Sequence, residues 1–225
     1  MLKDQMKRLL TETPGSVSRI SAYLLVRTGI TQDYQPLSAK SRGMRASAER
    51  LDAIKKNISA DGNLCLDLGC NTGYFSYEIA KMGIFTIGFE SEMKNIIVAE
   101  AQYSSPNLIF KRFTLDLNTA RTLPQAGIIL FLSVFHHLVK YGGREAAIAV
   151  FQALVEKCRS QFFFETGQPD ERGIKWSGLM EFMGNTDEWV KEFFIKQCGF
   201  RAVRCLGAFE TSVSPVRRKL FLAER

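Results

Sequence analysis

The chemistry legible in this chain rests on three carboxylates and two glycines. Residues 64–80 read Leu-Cys-Leu-Asp-Leu-Gly-Cys-Asn-Thr-Gly-Tyr-Phe-Ser-Tyr-Glu-Ile-Ala. An apolar strand ends in Asp67, a G-x-x-x-G turn runs from Gly69 to Gly73, and a helical pattern opens at Tyr74. Glycines without a Cβ let the backbone turn sharply and let a ligand lie against it. A helix starting there aims unpaired N–H groups into the turn. Two more acids follow at the ends of apolar runs, Glu90 after residues 84–89 and Asp116 after residues 108–115. Any one of them alone is an ordinary strand-end charge. Three in register, at successive strand ends, describe a pocket for a nucleotide-like cofactor.

The spacing selects among such cofactors. A dinucleotide site needs G-x-G-x-x-G so that a pyrophosphate can rest on the helix start, and a phosphate-binding loop needs Gly-Lys-Ser/Thr. Neither is present, and Asp67 would repel a diphosphate. An acid followed by G-x-x-x-G suits a cofactor with a cationic amino-acid head and no phosphate. The pattern resembles motif I of the class I S-adenosylmethionine-dependent methyltransferases. That resemblance implies S-adenosylmethionine held by Asp67, Gly69, Cys70, Asn71, Gly73, Tyr74 and Phe75 around its methionyl part. It further implies Glu90 on the ribose, Leu115 and Asp116 at the adenine, and Ser133 and Val134 bordering the methyl donor. Tyr34 and Arg50, ahead of the first strand, are expected to close over the cofactor.

The elements that must position these residues follow from the hydrophobic pattern. Strands are expected at 64–69, 84–90, 108–115, 127–133, 161–166, 201–206 and 217–223, and helices at 73–82, 92–104, 143–158 and 186–198. Strands alternating with helices imply parallel βαβ units and a doubly wound α/β sheet. The last two strands, with no helix between them, predict an antiparallel edge. This is the seven-stranded, Rossmann-like arrangement with a reversed last strand that the methyltransferase resemblance implies. Residues 1–60 read as an N-terminal helical extension or lid, broken at Thr13-Pro14-Gly15 and near Pro36, and residues 61–225 as the methyltransferase domain. Within the extension, residues 46–58 space Leu51, Ile54 and Ile58 along one helix face.

Doubly wound sheets bind ligands beyond the carboxyl ends of their strands. The fourth strand runs into Ser133-Val134-Phe135-His136-His137, which makes Phe135 a substrate candidate and His136 and His137 catalytic candidates. An imidazole titrates near neutrality and can take a proton from an acceptor hydroxyl or hold a phosphate oxygen. The alternative is a histidine satisfying a nearby carbonyl. Arg217 and Arg218, entering the last strand, are read as a clamp for a substrate phosphate, or else as charges protecting a sheet edge. Residues 162–170, Phe-Phe-Phe-Glu-Thr-Gly-Gln-Pro-Asp, form a buried strand that breaks into a polar loop at the same end.

With 225 residues and a net charge of +7, the chain is long enough for one α/β domain with an extension. Eleven Lys or Arg against six Asp or Glu fall within residues 1–63. A basic extension admits a nucleic-acid partner, though a run of charge without interleaved aromatics is more often a solvated face. The five cysteines form no C-x-x-C pair and only two histidines exist, so no metal site is expected. The longest apolar run, residues 128–135, is too short for a transmembrane segment. Residues 1–10 lack the apolar core of a secretory leader, and a reduced, cytoplasmic protein is the expectation.

A narrower resemblance joins Glu49-Arg50-Leu51-Asp52-Ala53-Ile54, the Ser133–His137 stretch, Gln168-Pro169-Asp170, and Gly207-Ala208-Phe209-Glu210-Thr211 with Ser214-Pro215-Val216. In that order they are similar to the methyltransferase domain of bifunctional kinase-methyltransferases that terminate bacterial O-antigen polymannose chains. The similarity covers about residues 48 to 223. It implies methyl transfer to an oxygen of a small or glycan-linked acceptor, in that family a phosphate. The alternatives are an RNA methyltransferase, suggested by the basic extension, and a non-catalytic methyltransferase-like binding subunit. The acceptor and the oligomeric state are not encoded in any of these patterns. The Asn/Asp-Pro-Pro-Tyr/Phe motif of amino-methylating enzymes is absent after the fourth strand, which argues against amino-group chemistry.

Overall fold

The computed structural model describes residues 47–59, 63–171, 173–174, 176–211 and 214–225. Tyr34 and most of the expected extension lie outside the described residues. The first described helix, α1 (Ser47–Lys55), is followed by β1 (Leu64–Leu68), α2 (Tyr74–Ala80), β2 (Phe85–Glu90), α3 (Met93–Gln102) and β3 (Leu108–Arg112). Next come α4 (Leu117–Thr122), β4 (Ala126–Leu132), α5 (Phe135–Gly142), α6 (Arg144–Lys157) and β5 (Cys158–Glu165). A 3₁₀ segment (Ser177–Met183), α7 (Thr186–Lys191), a π-helical turn (Glu192–Gln197), β6 (Ala202–Phe209) and β7 (Arg218–Glu224) complete the order. The seven strands form one sheet in the order β3-β2-β1-β4-β5-β7-β6. β1 to β5 pair in parallel, and β7 lies antiparallel to both β5 and β6.

Strand alternation builds two cores from one sheet. Cys65, Ile128, Leu130, Phe163, Leu220 and Leu222 face the layer formed by α1 and α2. Leu66, Ile129, Phe131, Phe162, Phe164, Phe221 and Ala223 face the opposite layer, where α4 to α7 pack. Burial on both faces is why the central strands read as continuous apolar runs rather than alternating ones. Leu51 and Ile54 of α1 are buried in the first core and Ile58 packs against it, so this part of the expected extension is built into the sheet's own packing.

Two helices were not expected. α4 has little apolar periodicity and is held at its start by a capping box: Asp116 accepts from the Thr119 N–H, and the Thr119 hydroxyl accepts from the Asp116 N–H. α5 begins inside what reads as the tail of an apolar strand. Ser133, at φ 59°, turns the chain out of β4 so that Phe135 enters a helix. The third strand also stops at Arg112 rather than running to Leu115.

Phe151 lies at the centre of the aromatic core. It stacks on Phe193 at 4.4 Å and Phe164 at 4.7 Å, and meets Phe194 edge-on at 5.4 Å. Such pairs contribute beyond their buried area. Replacing Phe151 by Ala should cost about 3–5 kcal/mol of unfolding free energy, read as a drop in the urea midpoint at unchanged slope.

Candidate active site

The cofactor-loop residues converge at the carboxyl ends of β1 and β2. Gly69 and Cys70 both donate their N–H groups to the Phe89 carbonyl, at 2.8 and 2.9 Å, which pins the turn to the end of β2. Gly69 has φ 78° and Gly73 has φ 85°, the left-handed region where a side chain is strained. A Cβ would lie 2.5 Å from Val134 Cγ2 at Gly69 and 2.5 Å from the Phe110 ring at Gly73. These two glycines are therefore required by packing as well as by backbone conformation.

Asp67 is buried beneath this turn and accepts a 2.6 Å hydrogen bond from the Ser76 hydroxyl of α2. Burial pushes its carboxyl up to about 7; the Ser76 bond opposes the shift and the nearby Glu90 adds to it. Glu90 accepts the Asn71 N–H on Oε2 at 3.0 Å and the Glu92 N–H on Oε1 at 2.8 Å. A carboxylate has about four lone-pair sites, so Glu90 retains capacity for another hydroxyl while it ties the loop to its own strand end. Two acids held together with no cation bonded to either carboxylate among the described residues form a site that attracts positive charge. Leu115 packs against the larger core, whereas Asp116 is exposed and its side chain caps α4. Tyr74 and Phe75 meet edge-on at 5.6 Å at the start of α2.

Next to the loop, at the ends of β4 and β5, lies a buried charged chain that crosses four elements. Arg50 of α1 donates to both Glu165 oxygens at 2.9 Å and to the Ser47 hydroxyl at 3.3 Å. Ser133 donates to Glu165 Oε1 and accepts from Arg218 Nη1 at 3.2 Å. Arg218 also grips Glu171 through two parallel bonds of 2.7 and 3.0 Å. Burial alone would raise the Glu165 carboxyl, but Arg50, Ser133 and Arg218 together hold it below its ordinary value. Glu165 and Glu171 were not singled out by sequence. The signal for Glu165 is an acid closing a run of three phenylalanines; its partner Arg50 lies 115 positions away.

Several side chains expected at the site are engaged by other residues of the protein. Arg218 is 1% exposed with its guanidinium filled by Glu171 and Ser133, so it is not poised as a phosphate clamp. Arg217 is exposed and pairs with Glu210 at 3.1 Å. Arg50 is buried and bonded to Glu165 at the end of β5. Phe135 is fully buried between Phe151, Phe164, Phe182 and Trp189, and is a core residue rather than a substrate contact.

The two histidines separate. His136 is buried, and its Nδ1 accepts the Gly167 N–H at 3.0 Å, which places the proton of the neutral ring on Nε2. In that tautomer the ring donates at Nε2 and has no lone pair left to act as a base. It stacks on Trp176 at 4.5 Å and on His137 at 4.3 Å. His137 is exposed, in the first turn of α5.

No family model matches the chain. It is 26% identical over 178 residues to the O-antigen chain terminator bifunctional methyltransferase/kinase WbdD of Escherichia coli, covering 77% of this chain and 23% of that protein. The chain thus spans about a quarter of its curated relative. A crystal structure of WbdD superposes with a TM-score of 0.75 at 25% identity, over 90% of this chain and 47% of that one. Magnesium protoporphyrin IX methyltransferase (ChlM) from Synechocystis PCC 6803, with bound SAH, superposes with a TM-score of 0.57 at 17% identity over 99% of this chain. The plantazolicin methyltransferase BpumL, also with SAH, gives 0.54 at 13% identity. The fold is that of the S-adenosylmethionine-dependent methyltransferases, with the last strand reversed as in that class. Within the class, the chain is similar in both sequence and structure to WbdD. Among the described residues, no helix is long and apolar enough to cross a membrane, and no cluster of potential metal ligands occurs.

The buried chain sets its own test. Glu171→Gln leaves the buried Arg218 charge without its directly bonded counter-charge and should cost about 3–5 kcal/mol. The double variant Arg218→Met, Glu171→Leu removes both charges and should recover more than half of that loss. Urea unfolding of the two variants beside the wild type measures the difference.

Proposed function

We propose that the chain is an S-adenosylmethionine-dependent methyltransferase that methylates an oxygen of a glycan-linked acceptor, with a phosphorylated sugar as the best-supported class. The observation that carries the cofactor half is the buried pair Asp67 and Glu90 under a glycine turn with no balancing cation bonded to either carboxylate among the described residues. A cationic, phosphate-free ligand suits that donor set. When bound, S-adenosylmethionine supplies a methyl group activated by its sulfonium. Support for the acceptor half comes from the likeness to WbdD, whose name describes an O-antigen chain terminator.

In this reading Asp67 faces the amino-acid head, Glu90 accepts from the ribose, and Leu115 with Asp116 borders the adenine. Gly69, Cys70, Asn71, Gly73, Tyr74 and Phe75 shape the turn, and Ser133 and Val134 line the side from which the acceptor approaches. Ser133 is held by Glu165 and Arg218, so its hydroxyl has a fixed position. Rigid placement of the acceptor oxygen at about 3–3.5 Å from the methyl carbon provides much of the acceleration expected in such a displacement. His136, as an Nε2–H donor, orients. His137, exposed on the same turn, is the group that would take a hydroxyl proton. An acceptor phosphate is already anionic and needs no base. The nucleic-acid alternative rests on the basic N-terminal segment, most of which lies outside the described residues.

Asp67 makes the cofactor step testable by pH. Its folded-state carboxyl is raised from 3.8 to about 7, so the folded chain without cofactor binds a proton there between those values, and a bound cation expels it. S-adenosylmethionine affinity should therefore rise as pH increases from 6 to 8, then level off. Calorimetric titration near pH 6.5 in two buffers of different ionisation enthalpy should register proton release. Asp67→Asn should bind at least tenfold more weakly and lose the pH dependence. Equal affinity at all pH values, in the wild type, would remove Asp67 from the cofactor site.

A further inference from the structure

Outside the cofactor cradle and the charged chain, a row of rings runs outward along α5. Its inner end is Trp176, which carries the Arg218 guanidinium over its face at 5.1 Å and His136 at 4.5 Å. His136 passes the row to His137 at 4.3 Å, and His137 to Tyr141, its neighbour one helical turn on, at 6.4 Å. The His137 and Tyr141 planes lie within 10° of each other. Lys140 places its ammonium 4.9 Å from the Tyr141 ring centre. Tyr141 is 76% exposed, more than any other large apolar side chain among the described residues.

Three facts make this more than a stray surface aromatic, which by itself is ordinary. Residues i and i+4 share one helix face, so His137 and Tyr141 form a common surface. The helix beneath them is rigid, because Phe135 is fully buried and the Gly167 N–H fixes His136. The face also starts three residues after Val134, whose side chain abuts the glycine turn at Gly69. Flat, nearly parallel rings offer contact area at low cost in conformational entropy, and an adjacent ammonium favours an anion.

We propose that His137, Lys140 and Tyr141 form the acceptor platform of this site: a sugar ring lies against the His137–Tyr141 face and Lys140 receives its phosphate. The proposal rests on the methyltransferase reading and names the residues that select the acceptor. Tyr141, Lys140 and His137 are binding residues in this platform.

The test titrates mannose 1-phosphate, mannose 6-phosphate, glucose 6-phosphate, mannose and adenosine 5′-monophosphate into the protein, with and without saturating S-adenosylhomocysteine. Saturation-transfer NMR and calorimetry provide the readouts. At least one hexose phosphate should bind, tenfold or more weakly to Tyr141→Ala. Lys140→Ala should weaken the phosphorylated sugars but not mannose. Neither variant should change S-adenosylhomocysteine affinity or the urea midpoint, since both side chains are exposed. The platform is overturned if the wild type binds S-adenosylhomocysteine but no hexose phosphate. It is equally overturned if Tyr141→Ala binds as the wild type does, or if the nucleotide outcompetes every sugar. Absence of S-adenosylhomocysteine binding would instead count against the methyltransferase reading, with the cofactor-free titration still deciding the platform.

Discussion

Two arginines and two glutamates buried together at the ends of β4, β5 and β7 are the constraint around which this molecule is arranged. Taking four charges out of water is unfavourable by several kcal/mol per ion unless each finds a partner of opposite sign with good geometry. Here each does. Arg50 meets Glu165, Arg218 meets Glu171, and the Ser133 hydroxyl joins the two pairs. The arrangement requires α1, β4, β5, β7 and the loop after β5 to meet in one geometry, because displacement of any of them strands a charge. It also fixes the hydroxyl that stands beside the cofactor turn. Much of the site's rigidity therefore originates outside the groups that would touch a ligand.

The glycine turn with its flanking strand and helix was legible because its constraints are local. An apolar strand, an acid, two glycines and a helix occupy seventeen consecutive residues, and each is required by what its immediate neighbours do. The central strands were equally legible, since burial on both faces leaves unbroken apolar runs such as residues 128–132 and 162–164. What stayed hidden depends on partners far away in sequence or on a single backbone torsion. α5 could not be seen because the apolar run continues through Phe135, and only the positive φ at Ser133 ends the strand. Arg218 reads as a free cation in a basic run until Glu171, 47 positions away, is found against it. α4 is the instructive exception. Its capping box was present in the sequence at Asp116 and Thr119, in a segment otherwise too polar to show helical periodicity.

The two halves of the site differ in electrostatic character. The charged chain is internally balanced and asks for nothing from a ligand. The Asp67–Glu90 pair has no balancing cation bonded to either carboxylate among the described residues, and burial leaves Asp67 with a carboxyl near neutrality. A fold that resolves one set of buried charges and leaves the neighbouring set unresolved holds stability back at that one place, as functional sites commonly do. Holding Asp67 ionised without a ligand works against the fold, because burial raises its carboxyl to about 7. The well-paired chain beside it lets the structure tolerate that.

The placement of β7 has a consequence for how the chain acquires its structure. β7 is the last of the seven strands in chain order, yet it lies between β5 and β6, inside the sheet. Until it inserts, β5 has an open edge, Phe163 and Phe164 lack their cross-strand neighbours Leu222 and Phe221, and Glu171 has no arginine. During synthesis the N-terminal strands can pair as they emerge, but the charged chain can close only when Arg218 arrives. Such late, non-local closure slows folding and prolongs exposure of a phenylalanine-rich edge. The residues that organise the mature site are thus the last to be satisfied, and the interval before β7 docks is when this chain most needs protection from aggregation.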